Sequence, residues 1–254
     1  MATGSVTKRR WPGSIVVLSL ITLIGGVLWA NQRDRITPPP SAPVSLEVPA
    51  GQAYPTFAVL GDSYAEGYGP GWASGWVRLL SDRMCWTLTP ASGEHGAGIQ
   101  HGTGFTTAGR DPGTARYLDR VPAVTAGKPD VVLVEGGLND QGAPTSEEIT
   151  AIAARTFTAI KERIPTGTVV AIGPLMTTGQ YTVPEELKRV SAALAAAAGE
   201  AGIPYISPID EQWLATDPNM FSSDEIHPNR DGYREFTRRL MDDLKTIGLT
   251  SSCK

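Results

Sequence analysis

Residues 56–69 read TFAVLGDSYAEGYG. The run Thr56-Phe57-Ala58-Val59-Leu60 is apolar without alternation, the signature of a strand buried on both faces. It stops abruptly at Gly61-Asp62-Ser63, and small, flexible residues follow. A serine at that point has two readings. It is a turn residue, since turns favour Ser and Gly, or it is a hydroxyl displayed at the carboxyl end of a buried strand. The surrounding chain decides between them.

Moving outward, the same grammar repeats. DVVLVEGG (130–137), TVVAIGP (168–174) and IPYIS (203–207) are further apolar strand candidates, and CWTLT (85–89) is a shorter one. Between them lie helical patterns. GWASGWVRLLSDRM (71–84) carries Trp76, Val77, Leu80 and Met84 at helical spacing. TSEEITAIAARTFTAIKERI (145–164) opens on a Thr145/Glu148 capping box and presents Ile149, Ile152, Ala153, Phe157, Ile160 and Ile164 as one stripe. PEELKRVSAALAAAAGEAG (184–202) has Pro184 near its first turn and a glycine stop. NRDGYREFTRRLMDDLKTIG (229–248) places Tyr233, Phe236, Leu240, Leu244 and Ile247 on one face. A glycine-rich stretch, SGEHGAGIQHGTGFTTAG (92–109), reads as a long loop. Short apolar strands alternating with amphipathic helices predict an α/β fold: a parallel sheet covered by helices on both faces. Sites in such sheets form beyond the carboxyl ends of the strands. Ser63, the Gly136–Asp140 turn and the loop before the last helix all fall there.

The N-terminal part has a different character. Lys8-Arg9-Arg10 precedes an uncharged run from Trp11 to Gln32, long enough to span a bilayer. The basic residues before it favour a cytoplasmic N-terminus. Residues 1–35 therefore read as a basic tip and membrane anchor, with a cleaved signal peptide and a secreted domain as the competing reading. Leu28 and Trp29 before Ala30 make a poor small-x-small cleavage site. Residues 36–53 are a proline-rich, extended spacer. Residues 54–254 form the folded domain, expected outside the cytoplasm. About 200 residues suffices for one core.

Overall composition is that of a globular protein, 41% hydrophobic and 19% charged. The net charge is −4. Setting aside five basic residues and Asp34 from the first 35 positions leaves 17 basic and 25 acidic residues, a net −8. That balance gives no footprint for nucleic acid. Two cysteines, Cys85 and Cys253, in an exported domain suggest one disulfide. The alternative is a buried free Cys85 and a frayed tail.

Three clusters carry chemistry: Gly61-Asp62-Ser63, GGLND (136–140) and DEIHPN (224–229). A serine hydroxyl is a weak nucleophile and needs a base that is itself oriented by an acceptor. The chain has three histidines, His95, His101 and His227, and only His227 has a carboxylate, Asp224, three residues before it. His95 and His101 flank the glycine loop without a cysteine or carboxylate cluster, and read as solvated loop residues rather than metal ligands. A developing oxyanion needs donors. The Ser63 N–H, a glycine N–H from the 98–104 loop and the Asn139 amide are the candidates. Asp62 and Asp140 read as loop-bracing acceptors. Tyr64, Tyr68 and Trp72 have two readings, stacking on a sugar ring or packing against the first helix, and packing is favoured.

These blocks resemble the SGNH hydrolases, the GDSL esterase/lipase family. GDSY matches the first block, GGLND the third and DEIHPN the Asp-x-x-His block, so the resemblance spans Tyr54 to Ile247. It implies a flavodoxin-like three-layer αβα sandwich with Ser63 as nucleophile, His227 as base and Asp224 as its partner. It implies an oxyanion hole of Ser63, Asn139 and a glycine, best placed at Gly104, with Gly102 and Gly98 as alternatives. The implied reaction is hydrolysis of acyl esters without metal or cofactor. An anchored domain points to O-acylated envelope glycans or lipids as substrates. An acyltransferase passing the acyl group to a sugar hydroxyl is the second reading, and a non-catalytic glycan-binding module the third. In the implied fold the last helix packs beside the first, so Cys253 can reach back to Cys85. Tyr64 replaces the Leu or Ile usual after Gly-Asp-Ser, which narrows the expected acyl pocket.

Overall fold

Strand β1 (Thr56–Gly61) is buried along nearly its whole length, so it has to lie inside a sheet with both faces covered. In the computed structural model it does. Residues 54–89, 99–101 (backbone), 104–106, 116–143, 145–177, 183–214, 217–250 and 253 are described, all within the unit Leu46–Lys254. The anchor and spacer expected over residues 1–53 lie outside the described residues. Among the described residues, no helix is long and apolar enough to cross a membrane.

The remaining strands are β2 (Thr87–Leu88), β3 (Ile99–His101), β4 (Val131–Glu135), β5 (Thr168–Ile172) and β6 (Tyr205–Ile206). All pair in parallel, in the order β2-β1-β4-β5-β6, with β3 also on the β2 side of β1. The chain first moves from β1 to one edge and then returns past it to β4. The crevice between the ends of β1 and β4 is therefore the topological switch point, where open α/β sheets place their sites.

The helices are α1 (Trp76–Met84), α2 (Tyr117–Val124), α3 (Ser146–Arg163), α4 (Glu185–Ala201) and α5 (Arg230–Thr246). Strand alternation sorts them into layers. Phe57, Val59, Leu133 and Ile172 face α1 and α5 through Trp76, Leu80, Phe236 and Leu240. Ala58, Leu60, Val132 and Val134 face α2, α3 and α4 through Tyr117, Phe157, Val190 and Ala197. The result is the expected three-layer αβα sandwich. Thr145 caps α3 by accepting the Glu148 N–H at 3.1 Å.

Three features depart from the sequence reading. The glycine-rich stretch contains β3, whose Gly61↔His101 register brings the chain beside the end of β1. Helix α2 was not evident because it has eight residues and holds Pro122 in its interior, where proline lacks the helical N–H. Ile247, expected on the apolar face of α5, is 37% exposed. The helix stops one residue before it, and the chain turns at Gly248 (φ +87°). The Leu249 N–H then closes on the Leu244 carbonyl at 2.8 Å, and Leu249 packs on the core instead. Cys85 and Cys253 form a disulfide, with Cα atoms 5.2 Å apart, joining the end of α1 to the tail beyond α5.

Candidate active site

The last residue of β1, Gly61, stands where no side chain fits. A Cβ would stand 2.5 Å from that of Ala65 and 3.1 Å from a Glu135 carboxyl oxygen. The chain then coils through close turns. The Gly67 N–H bonds the Tyr64 carbonyl and the Tyr68 N–H bonds the Ser63 carbonyl, both at 3.0 Å. Asp62 is buried and points back into the fold. One of its oxygens accepts the Tyr64 N–H at 3.0 Å, and the other accepts the Asn139 side-chain amide at 3.2 Å. Inward Asp62 leaves half-buried Ser63 turned the other way, toward the loop before α5.

That loop folds on itself. Phe221 and Pro228 form an isolated antiparallel bridge, and the Ser222 N–H donates to the His227 carbonyl at 2.8 Å. The Asn229 side chain accepts the Asp231 and Gly232 N–H groups at the start of α5. It also donates to the Asn219 and Phe221 carbonyls, at 2.6 and 3.0 Å. Within the loop, one Asp224 oxygen accepts the Ile226 and His227 N–H groups, each at 3.0 Å. Its other oxygen lies 2.7 Å from His227 Nδ1. Partial burial pushes the Asp224 carboxyl up, but the His227 N–H, its imidazole and the Ile226 N–H outweigh this and hold it below the usual 3.8. An ionised carboxylate accepts only, so Nδ1 carries the proton. In the neutral imidazole Nε2 is then the acceptor, and Ser63 Oγ lies 2.8 Å from it.

The third cluster hangs from the end of β4. Gly136 and Gly137 have positive φ (154° and 113°). A Cβ on Gly136 would meet the Tyr117 hydroxyl at 2.4 Å, which itself donates to the Glu135 carbonyl at 2.7 Å. The turn that follows, Leu138–Asp140, presents Asn139 beside Asp62 and Asp140 inward. Asp140 accepts the Phe105 and Thr106 N–H groups at 3.2 and 2.7 Å and the Thr106 hydroxyl at 2.8 Å. Gly104 sits so close that a Cβ would lie 2.7 Å from an Asp140 oxygen. Asp62 and Asp140 are thus bracing acceptors. Gly98, Gly102, His95 and the side chain of His101 lie outside the described residues.

The structure brings Ser63, His227 and Asp224 into one hydrogen-bonded chain. It sets Asn139 against the Asp62 carboxylate next to that serine, and Gly104 against Asp140, the residue after Asn139. An asparagine amide has two protons, and the bond to Asp62 fixes the plane of both. One feature went unread in the sequence, and one favoured reading is corrected. Glu135, the last residue of β4, is buried beside Asp62, and burial first and the Asp62 charge second push its carboxyl well above the usual 4.5, against the Asp62 N–H. Its place on the Val131–Leu133 face of a wholly buried strand was the available signal. Tyr68, read as packed, is 46% exposed, whereas Tyr64 and Trp72 do pack on the α1–α5 side of the sheet. A serine bonded to an oriented imidazole, beside fixed amide donors, can attack a carbonyl carbon and hold the resulting oxyanion.

The model of the GDSL-like lipase/acylhydrolase family matches residues 59–235. Among curated proteins, no sequence matches. Several solved structures share the fold. TesA is 23% identical with a TM-score of 0.59, over 76% of this chain and 99% of that one. The esterase EstA from Pseudoalteromonas sp., inhibited by monoethylphosphonate, is 19% identical with a TM-score of 0.57, over 76% and 97%. A family two carbohydrate esterase from Clostridium thermocellum, in complex with cellohexaose, is 14% identical with a TM-score of 0.61, over 79% and 67%.

Proposed function

The chain belongs to the GDSL-like lipase/acylhydrolase family, and from that premise we propose that it is a serine esterase acting through a Ser63 acyl-enzyme. The observation that carries this is the unbroken chain Ser63 Oγ–His227 Nε2 at 2.8 Å and His227 Nδ1–Asp224 at 2.7 Å. Ser63 attacks the ester carbonyl as Nε2 takes its proton. Asp224 holds the imidazole and stabilises its cation. The Ser63 N–H, the Gly104 N–H and the Asn139 amide receive the oxyanion. Nε2 then protonates the departing alcohol, and the same imidazole activates the water that releases the acid.

The substrate class we propose is an O-acylated glycan of the cell envelope. The carbohydrate esterases among the fold relatives support it, as does the anchor-and-spacer sequence that would hold the domain at a membrane outside the cytoplasm. A disulfide suits such an oxidising compartment. Two measurements test the reading. Purified protein should hydrolyse p-nitrophenyl acetate, and a reactive phosphonate should label Ser63, located by peptide mass spectrometry; inactivity together with an unlabelled Ser63 overturns it. Full-length protein should fractionate with membranes and resist salt extraction, whereas soluble protein beginning near Asn31 would mean a cleaved signal.

A further inference from the structure

The esterase reading leaves one question open: what recognises the alcohol half of the ester. His227 Nε2 has to reach the leaving oxygen, so that half lies against the imidazole, away from the oxyanion donors. Two aromatic rings contact this imidazole. Tyr64, with its ring centroid 5.3 Å away, is buried, and its hydroxyl holds the Ile226 carbonyl at 2.5 Å. Tyr68, at 4.5 Å and an interplanar angle of 48°, is 46% exposed. Ile226, the residue before His227, is 44% exposed. Among the described residues only three large hydrophobic side chains are exposed; one of them, Tyr68, packs on the imidazole, and another, Ile226, is its chain neighbour.

The backbone that carries the open ring is fixed. The Tyr68 N–H donates to the Ser63 carbonyl, and the Tyr68 carbonyl accepts the Tyr233 hydroxyl, both at 3.0 Å. The Ile226 backbone is fixed by Tyr64 on one side and by Asp224, which accepts its N–H, on the other. An exposed aromatic face on a braced backbone, in contact with the reacting imidazole, offers apolar area and a planar surface to whatever group is bound there. We propose that Tyr68 and Ile226 form a platform for the alcohol half of the substrate, with Tyr68 selecting a ring-shaped alcohol, a pyranose face, over a small acyclic one. The proposal rests on the esterase reading.

Acetates of different alcohols test it. With cyclohexyl acetate and an O-acetylated methyl glucoside, Tyr68→Ala should lower kcat/KM about tenfold, the upper range for one aromatic contact. With methyl acetate the loss should stay within about twofold. Tyr68→Phe should retain the wild-type preference, and Ile226→Ala should show a smaller loss of the same pattern. Tyr68→Leu, which keeps apolar bulk without a planar face, repeats the test should Tyr68→Ala not fold. An equal loss on methyl and ring acetates would make Tyr68 a positioning residue for the imidazole and overturn the proposal. So would a loss that follows acyl length instead. Wild-type protein that hydrolyses none of these esters overturns the esterase reading itself, whereas active protein whose alcohol preference is unmoved by Tyr68→Ala overturns only the platform.

Discussion

The two halves of the site are built in opposite ways. Ser63 and Asn139 stand just past the ends of the neighbouring strands β1 and β4, beside three buried carboxyls, Asp62, Glu135 and Asp140. Asp224 and His227 stand on a surface loop closed by its own hydrogen bonds, with the Asp224 side chain 36% exposed. In the interior half, orientation comes from charge taken out of water, which burdens the fold unless every lone pair is met. In the surface half it comes from a few short-range backbone donors. The buried carboxyls beneath the interior half should therefore couple activity to stability, and Asp224 in the surface half should not.

The largest expected effect tests whether the halves act as one machine. Ser63→Ala and His227→Ala should each reduce ester hydrolysis by about 10⁴-fold or more, with unchanged thermal unfolding, because members of such a unit are not additive. A His227→Ala enzyme retaining a tenth of wild-type turnover would separate them. Next, Asn139→Ala should lower kcat by about 10²–10³, the usual loss for one oxyanion donor; a change in KM alone would make it a ground-state contact.

The contrast itself is sharpened by two isosteric changes. Asp62→Asn should impair turnover and also destabilise by about 1–3 kcal/mol, since it unsettles a buried acceptor of two hydrogen bonds. Asp224→Asn should impair turnover while leaving urea unfolding at neutral pH nearly unchanged. Equal destabilisation by both would erase the distinction.

Smaller effects lie in pH dependence. Glu135 has a raised carboxyl in the fold. The stability it allows is therefore full below about pH 4.5 and declines as pH rises through its folded value. Glu135→Gln removes that decline, so the variant's advantage in urea unfolding should widen from pH 5 to pH 8; parallel curves would mean the carboxyl is not strained. The smallest effect is expected at Asp243, raised to about 6 from 3.8 by partial burial and by Glu211 and Asp242. Asp243→Asn should gain on wild type between those pH values and no further above about pH 6. A gap still growing at pH 8 would place the titration elsewhere.

Sequence alone carried the layers and the three chemical blocks because both are local signals. A wholly apolar run such as VVLV has to be buried on two faces, and Asp224 and His227 are three residues apart. What stayed hidden depends on residues distant in the chain. β3 exists because its backbone meets β1, not because three residues favour a strand. Tyr68 and Tyr64 look alike in sequence, and only tertiary packing makes one surface and the other core. The Asp62–Asn139 contact joins positions 77 apart, and no spacing rule announces it.

The Cys85–Cys253 bond also determines which parts of the chain stay joined when the backbone is cut. It closes a ring across a sequence separation of 168, holding Asn139, Asp224 and His227. Ser63 lies outside, just past the strand that the sheet order places between two strands of that ring. A protease cut within the ring, with the bond intact, leaves every catalytic candidate on one covalent molecule. A cut between Ser63 and Cys85 divides them into two, the nucleophile on one piece and its base and oxyanion donor on the other, held together afterwards only by non-covalent contacts.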